Sequence, residues 1–343
     1  MKSIVVHAQR DIRIEERRKP EPGAGEVLVR IERGGICGSD LHYYQHGGFG
    51  PIRIREPMIL GHEVSGSIDT IGPGVSGLKA GDRVAVSPSR PCYRCDYCLE
   101  GRHNHCIHMR FYGSAMPFPH IQGAFSEYIV ADQRQCALAT GLSAEEAAVA
   151  EPLAVVLHAV NRAGGLVGKR VLVTGCGPIG QLCVLVARAA AAAEIVATDV
   201  APFTLELAKN IGADHIYNVA NAPSALRQYD DDKGHFDVHL ECSGVAAALT
   251  DAVPALRPGA IIMQLGLGGD MRLPMQAITA KEIEIRGSFR FHAEFFTAVD
   301  LMRSKRLDVT PLITHKIPLD HAVEAFDLAG DRNQAIKVQI AFS

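Results

Sequence analysis

A glycine-rich turn between an apolar run and a helical pattern constrains the fold of this chain more than any other feature. The apolar run 171–174 leads into Gly175-Cys-Gly177-Pro-Ile-Gly180. Gly175 permits a tight turn, Gly177 lets the main chain approach a pyrophosphate, and Gly180 lets a helix pack closely on the strand. This order of strand, turn and helix predicts one unit of a doubly wound parallel sheet.

Features beside the turn favour a bound dinucleotide. A helix that starts near Pro178 and Ile179 would direct its free N–H groups at the phosphates. Asp199 ends the next apolar run, where a carboxylate can accept hydrogen bonds from ribose hydroxyls. No Arg or Lys between Asp199 and Glu206 could neutralise a 2′-phosphate, so the sequence predicts NAD rather than NADP. The alternative is a tight turn that binds nothing.

Length, charge and cysteine content limit the class of protein. A chain of 343 residues is long enough for two domains with separate cores. The net charge of −3 gives no reason to expect a nucleic-acid or membrane partner, and neither a membrane span nor a secretory signal is recognisable. Nine cysteines, four of them in one short stretch, predict metal binding in a reducing cytoplasm rather than disulfides.

The pattern of elements changes along the chain. Residues 1–150 show short alternating strands with dense Gly and Pro, which indicates an irregular barrel or sandwich. From Gly168 the chain alternates strands with helices, one of them with Pro202 at its first position, which is typical of a doubly wound sheet. Residues 288–343 contain two helical stretches, 292–304 and 320–329, and a final alternating strand, 335–342, and we expect them to return to the first domain.

Four cysteines predict a structural metal site. Cys92, Cys95, Cys98 and Cys106 have the spacing C-x2-C-x2-C-x7-C. Four thiolates that close on one ion, with no open position, are typical of structural zinc. An iron–sulfur cluster is the alternative, but the bacterial ferredoxin pattern has three residues before its last cysteine and a proline after it, and this chain has neither.

A second set of possible ligands is spread along the chain. Cys37, His62, Glu63 and Glu151 are weak signals one by one, because a single buried Cys or His is usually an ordinary core residue. Together, a thiolate, an imidazole and a carboxylate would give a three-ligand zinc with one open position, the catalytic pattern.

Several motifs show a family resemblance over essentially the whole chain. They are Gly35-Ile-Cys37-Gly-Ser-Asp, Gly61-His62-Glu63, Gly81-Asp-Arg-Val, the four cysteines, Gly123-Ala-Phe-Ser-Glu-Tyr, Glu151-Pro-Leu and the glycine turn. In these motifs the chain resembles the zinc-dependent medium-chain dehydrogenases. His42-Tyr43 and Gly287-Ser-Phe-Arg290 resemble the polyol branch of that family.

The resemblance implies a fold, two zinc ions per chain and their ligands. A β-rich GroES-like catalytic domain would comprise 1–150 and 288–343, and a Rossmann NAD-binding domain would comprise 151–287. Cys37 and His62 would bind the catalytic zinc. The third ligand would be Glu63 or Glu151, and we favour Glu151 at the metal or one water away.

The resemblance also implies roles around the reacting groups. Ser39 and His42 would form a proton relay, with substrate near Tyr43, Arg110 and Arg290. An arginine can bind the carboxylate of a sugar acid through two parallel hydrogen bonds, although Arg110 is equally well explained as a surface residue. The nicotinamide side would be lined by Leu265, Gly266, Leu267, Ser288, Phe289 and Arg290.

The expected activity is NAD-dependent interconversion of a secondary alcohol, in a sugar acid or polyol, with its ketone by a homodimer or homotetramer. A neutral-polyol dehydrogenase is the nearest alternative, and a non-catalytic dinucleotide-binding protein is the alternative of another class. One departure from the polyol branch concerns the adenine side, where Phe203 and Thr204 stand near the position of a frequent arginine.

Overall fold

The computed structural model describes residues 1–342 and divides the chain into two compact units. The first contains Met1–Ala154, Phe291–Asp331 and the residues from Lys337 on, and the second contains Val155–Arg290 and Arg332–Ile336. The domain limits proposed from the sequence, 1–150 with 288–343 and 151–287, stay a prediction. Ser343, the last residue of the predicted catalytic domain, lies outside the described residues.

The N-terminal part of the first unit is rich in short strands, as the dense Gly and Pro indicated. Its strands are β1 (Lys2–Ala8), β2 (Asp11–Glu16), β3 (Glu26–Gly35), β4 (Gly48–Phe49), β5 (Ile52–Arg53), β6 (Met58–Ile59), β7 (Glu63–Ile71), β8 (Arg83–Val86), β9 (Ser89–Arg90), β10 (Arg110–Phe111), β11 (Tyr128–Asp132) and β12 (Cys136–Leu138). Its helices are α1 (Gly38–His46), α2 (Asp96–Leu99), α3 (Ala144–Ala148) and α4 (Ala150–Arg162), the last of which continues into the second unit.

The second unit alternates strands and helices. Its elements are β13 (Arg170–Thr174), α5 (Pro178–Ala189), β14 (Glu194–Asp199), α6 (Pro202–Asn210), β15 (His215–Asn218), β16 (Phe236–Glu241), α7 (Ala246–Ala252), β17 (Leu256–Gln264), α8 (Met275–Ala280) and β18 (Glu284–Gly287). The six strands form a parallel sheet in the order β15-β14-β13-β16-β17-β18. Val171, Leu172 and Val173 are fully buried, as expected for a central strand covered on both faces.

The C-terminal part of the first unit adds two strands to its main sheet, together with two helices. They are α9 (Glu294–Arg303), β19 (Ile313–Pro318), α10 (Ala322–Ala329) and β20 (Lys337–Ala341). β20 pairs antiparallel with β3, in a sheet of order β12-β8-β7-β3-β20-β19 in which β11 also pairs with β3. Among the described residues, no helix combines the length and apolarity needed to cross a bilayer.

Candidate metal centres and dinucleotide site

The pairing of β3 with β7 and β20 brings the first group of candidate ligands together. Gly35 of β3 pairs with Glu63 of β7 and with Gln339 of β20. Glu63 and Lys337 begin their strands, so both lie at the end of β3. Cys37 comes two residues after Gly35 and is the N-cap of α1, with an extended main chain. Residues far apart in the sequence therefore meet at one point of this sheet.

Three possible ligand atoms lie together at this point. The sulfur of Cys37, a ring nitrogen of His62 and a carboxylate oxygen of Glu63 are all within 4.8 Å of one another. His62 and Glu63 are buried and Cys37 is half-buried. A thiolate, an imidazole and a carboxylate are ligands that Zn²⁺ accepts, and three protein ligands leave a fourth position open. The donor set therefore fits a catalytic zinc.

A buried lysine contacts one member of this group. The ammonium of Lys337 donates hydrogen bonds to the two carboxylate oxygens of Glu63 at 2.9 and 2.7 Å and contacts the main-chain oxygen of Ile36 at 3.4 Å. Burial lowers the pKa of Lys337, but the charges of Glu63 and Cys37 outweigh this effect and raise the pKa above its ordinary value. Lys337 thus balances the charge of a buried carboxylate.

Glu151 lies in the same electrostatic environment, although it is outside the 4.8 Å group. It occupies the first turn of α4 and is 6% exposed. Burial raises the pKa of Glu151 to about 8; the imidazole of His62 opposes this rise, and the charges of Glu63 and Cys37 add to it. Burial likewise raises the pKa of Cys37 to about 12. A bound dication would lower both pKa values, because it favours the anionic forms.

Asp40 holds the main chain on both sides of this group. Its buried carboxylate accepts hydrogen bonds from the N–H of Cys37 at 3.1 Å and the N–H of Gly61 at 3.0 Å. One of its oxygens also lies 3.7 Å from Nδ1 of His62, a buried nitrogen without a hydrogen-bond partner among the described residues. A carboxylate behind a ligating histidine orients the ring and increases its basicity.

The four cysteines of the second metal group form a compact lobe. Cys95 is the N-cap of α2, Cys98 lies in that helix, and Cys106 follows the 3-10 helix His103–His105. The four sulfurs lie within 4.8 Å of one another. The N–H of Cys92 donates to the sulfur of Cys106 at 3.2 Å, and the sulfurs of Cys95 and Cys106 are 3.9 Å apart.

These distances fit a single ion. Zn–S bonds of about 2.3 Å give a tetrahedron with edges of about 3.8 Å, which agrees with the 3.9 Å between the sulfurs of Cys95 and Cys106. Main-chain N–H groups of Ile107 and Cys98 lower the pKa of Cys95 to about 6, which favours a thiolate ligand. A multi-iron cluster binds its thiolates on separate irons, so these closely spaced sulfurs suit zinc better.

The glycine turn of the second unit has the geometry expected of its residues. Gly175 has φ +83°, and a Cβ there would lie 2.7 Å from the Cα of Ser243, so only glycine fits. A Cβ at Gly180 would overlap the main-chain oxygen of Gly175. Gly177 is the N-cap of α5 and faces open space. Pro178 and Ile179 form the first turn of that helix, so its N-terminus borders this space.

Asp199 lies beside this turn at the end of β14. Its carboxylate accepts hydrogen bonds from the N–H groups of Cys176 at 2.5 Å, Val200 at 2.6 Å and Ala201 at 2.9 Å. These bonds orient the carboxylate next to the glycine turn, and a carboxylate oxygen can accept more than one hydrogen bond. The position and acceptor character of Asp199 therefore fit a ribose.

The predicted nicotinamide-side residues lie beyond the ends of β17 and β18. Leu265, Gly266 and Leu267 follow β17, and the Leu267 side chain is 68% exposed. Ser288 follows β18, and its buried hydroxyl oxygen has no hydrogen-bond partner among the described residues. The guanidinium of Arg290 lies 4.8 Å from the ring centre of Phe289. An unpartnered hydroxyl at the edge where dinucleotides bind fits a cofactor.

The predicted relay residues share α1 with the Cys37 cap. Ser39 and His42 are three positions apart, which places them on one side of the helix. The main-chain N–H of Ser39 opposes the effect of burial on the pKa of Cys37. The imidazole of His42 lies 4.9 Å from the ring of Phe49, and burial together with the charge of His46 lowers the pKa of His42.

The predicted substrate residues have different surroundings. Tyr43 is 5% exposed, and its hydroxyl accepts a hydrogen bond from the N–H of Ala115 at 3.1 Å. Arg110 is exposed in β10, whereas its neighbour Phe111 lies 5.5 Å from the ring of His62. Phe111, which the sequence analysis did not single out, therefore lies beside a candidate zinc ligand.

Comparison with known proteins identifies the family. The model of the alcohol dehydrogenase GroES-like domain matches residues 23–141, and the model of the zinc-binding dehydrogenases matches residues 178–304. The chain belongs to the zinc-binding dehydrogenases. The predicted fold class, a GroES-like domain with a Rossmann domain, is confirmed, as is the resemblance to the polyol branch.

Individual relatives share nearly the whole chain. An L-idonate 5-dehydrogenase (NAD(P)(+)) of Escherichia coli K12 is 45% identical over 92% of this chain and 92% of its own. A sorbitol dehydrogenase of Gallus gallus is 38% identical over 98% and 95%. The crystal structure of L-idonate 5-dehydrogenase from E. coli K-12 superimposes with a TM-score of 0.92 at 41% identity, over 99% of this chain and 98% of that one.

Proposed function

We propose that this protein converts L-idonate to 5-keto-D-gluconate with NAD as the hydride acceptor. The observation that supports this most is the group of Cys37, His62 and Glu63, whose ligand atoms lie within 4.8 Å of one another. The name of the 45% identical relative supports the sugar-acid substrate. The sorbitol dehydrogenase at 38% identity supports neutral polyols as the second candidate substrates.

Cys37, His62 and Glu63 would hold the catalytic zinc. Although the sequence favoured Glu151 as the third ligand, only Glu63 belongs to the close group, so we propose Glu63 as the third ligand. Glu151 would instead accept a hydrogen bond from the substrate hydroxyl. When bound, zinc supplies a Lewis acid that makes an alcohol proton easier to remove. Zinc content separates the two glutamates: Glu63→Gln should lose one ion per chain, and Glu151→Gln should retain both.

Ser39 and His42 would remove the proton. Burial lowers the pKa of His42, which favours the neutral imidazole, and a neutral imidazole can accept a proton that the Ser39 hydroxyl passes on. Cys92, Cys95, Cys98 and Cys106 would hold a second zinc that stabilises their lobe, without a chemical step. Asp199 would bind the ribose of NAD and repel the phosphate of NADP.

The substrate is tested by following NADH formation with L-idonate, sorbitol, xylitol and threonine. We expect the highest kcat/KM with L-idonate. Equal or higher values with a neutral polyol would favour the second candidate. If Arg110 or Arg290 binds the substrate carboxylate, Arg110→Met or Arg290→Met should raise KM for L-idonate and leave KM for sorbitol unchanged.

Two further proposals concern the location and the oligomeric state of the protein. We place the protein in the cytoplasm, which is supported by nine free cysteines that need a reducing environment. We also propose a homodimer or homotetramer, and light scattering of the purified protein separates these states from a monomer.

A further inference from the structure

The carboxylate of Glu241, the last residue of β16, is fully buried at the end of that strand. The sequence analysis assigned no function to this residue. In the part of the chain that the structure describes, no Lys, Arg or His lies within ion-pair distance of it. A buried carboxylate without a cation requires several hydrogen-bond donors to offset the lost hydration.

Glu241 obtains these donors from two loops. Its carboxylate accepts hydrogen bonds from the N–H of Ser243 at 2.8 Å, the N–H of Gly244 at 3.0 Å and the side-chain amide of Gln264 at 2.6 Å. The hydroxyl of Ser243 donates a further bond. All four donor groups are neutral, and they belong to the segments that follow β16 and end β17.

The same residue fixes the start of the loop after β17. The main-chain oxygen of Glu241 accepts hydrogen bonds from the N–H of Leu265 at 2.9 Å and of Gly266 at 2.8 Å. A Cβ at Gly266 would lie 2.6 Å from a carboxylate oxygen of Glu241, so the loop packs directly on this carboxylate. The amide of Gln264 also donates to the oxygen of Gly266 at 2.8 Å, which closes the network.

Sheet order determines which half of a dinucleotide lies above this network. The glycine turn follows β13, and Asp199, the candidate ribose ligand, ends β14 on one side of it. β16 and β17 lie on the other side of β13. With the pyrophosphate at the turn and the adenosine ribose at Asp199, the nicotinamide half extends over the ends of β16 and β17.

We infer that Glu241 is a positioning residue that holds the loop 265–268 in place for the nicotinamide half of NAD and leaves the adenosine half unaffected. This inference depends on the proposed function as an NAD enzyme. Glu241 acts through Gln264, Gly244 and the loop after β17, and it does not need to contact the cofactor.

The test compares the binding of two ligands to the zinc-loaded full chain by calorimetry. NAD contains the nicotinamide, and ADP-ribose lacks it. Glu241→Gln replaces one acceptor oxygen by a donor, so at least one of the four donors loses its acceptor. We expect NAD to bind at least tenfold more weakly and ADP-ribose to change by less than twofold.

Asp237→Asn is a matched control on the same strand. The Asp237 carboxylate lies near the opposite end of β16 and accepts hydrogen bonds from the N–H of Arg170 and the guanidinium of Arg257, each at 2.8 Å. We expect both ligands to bind this variant as they bind the wild type.

Equal weakening of NAD and ADP-ribose by Glu241→Gln would overturn the inference, because Glu241 would then only maintain the fold. Unchanged binding of both ligands would also overturn it. If Glu241→Gln does not fold, Gln264→Met removes one donor and should produce a smaller loss for NAD alone; an equal loss for both ligands would again refute the inference. Wild-type protein that binds neither ligand would instead refute the proposed function.

Discussion

The burial of His239 predicts that the stability of the folded chain depends measurably on pH. Its side chain is fully buried in β16, with Nε2 at 2.8 Å from the hydroxyl of Thr174 and Nδ1 without a hydrogen-bond partner among the described residues. Burial lowers the pKa of His239 from 6.5 to about 3. We expect His239→Gln, whose side-chain amide reaches the position of Nε2 and can keep a hydrogen bond to Thr174, to remove this dependence.

The direction of the change in stability with pH follows from the pKa of His239 in the unfolded and in the folded chain. The unfolded chain binds the proton near pH 6.5 and the folded chain only near pH 3, so acid favours unfolding. The contribution of neutral His239 is fully present above about pH 6.5 and is lost as the pH falls toward 3. At about 1.4 kcal/mol per pH unit, this loss amounts to about 2 kcal/mol between pH 7 and pH 5.

The assay is urea unfolding of both proteins at pH 7, 6 and 5. The chain has no tryptophan, so circular dichroism is the suitable probe. Other groups titrate in both proteins, and the difference between wild type and variant isolates His239. We expect this difference to change by about 2 kcal/mol in favour of the variant from pH 7 to pH 5. A difference that does not vary with pH would refute the reasoning.

Three further outcomes are expected. Cys98→Ser should reduce zinc from two ions per chain to one and lower Tm, and metal analysis showing two ions would contradict the structural site. Lys337→Met should lower the free energy of unfolding of the chelator-treated protein by about 3–5 kcal/mol, because the Glu63 carboxylate stays buried without its partner. Bound zinc should reduce this loss of stability. Equal losses with and without zinc would argue against Glu63 as a ligand. Asp199→Asn removes the charge that repels a 2′-phosphate, so the ratio of kcat/KM for NAD to that for NADP should fall, and an unchanged ratio would exclude this role.

Local patterns predicted much of the architecture. The glycine turn, the proline at the start of α6 and the alternation of strands and helices are encoded within a few residues. The parallel sheet followed from them, and the structure contains it. The spacing of the four cysteines likewise predicted a compact group, because all four lie within one short loop.

Boundaries were less accurate where tertiary contacts decide them. The sequence placed a helix from residue 292, but α9 begins at Glu294. The imidazole of His292 instead stacks on that of His103 with 3.9 Å between ring centres. The second helix of this region was placed from residue 320, but residues Leu319–His321 form a 3-10 turn before α10.

Contacts between distant residues could not be predicted from one sequence. Lys337 is 274 positions from Glu63, and no pattern at either residue indicates their pairing. The role of Asp40 was also missed, although its position three residues after the capping Cys37 is the position of the acidic residue in a capping box. Phe111 lies in the two-residue strand β10 and contacts the ring of His62, a contact that no local pattern indicates.

Zinc content of Cys37→Ala tests the central claim most directly. If Cys37, His62 and Glu63 hold one ion and the four-cysteine lobe holds another, wild-type protein binds two zinc ions and the variant binds one. The variant should keep NAD affinity and lose turnover, since its dinucleotide residues are unchanged. A variant that retains two zinc ions per chain would contradict the assignment of Cys37 as a zinc ligand.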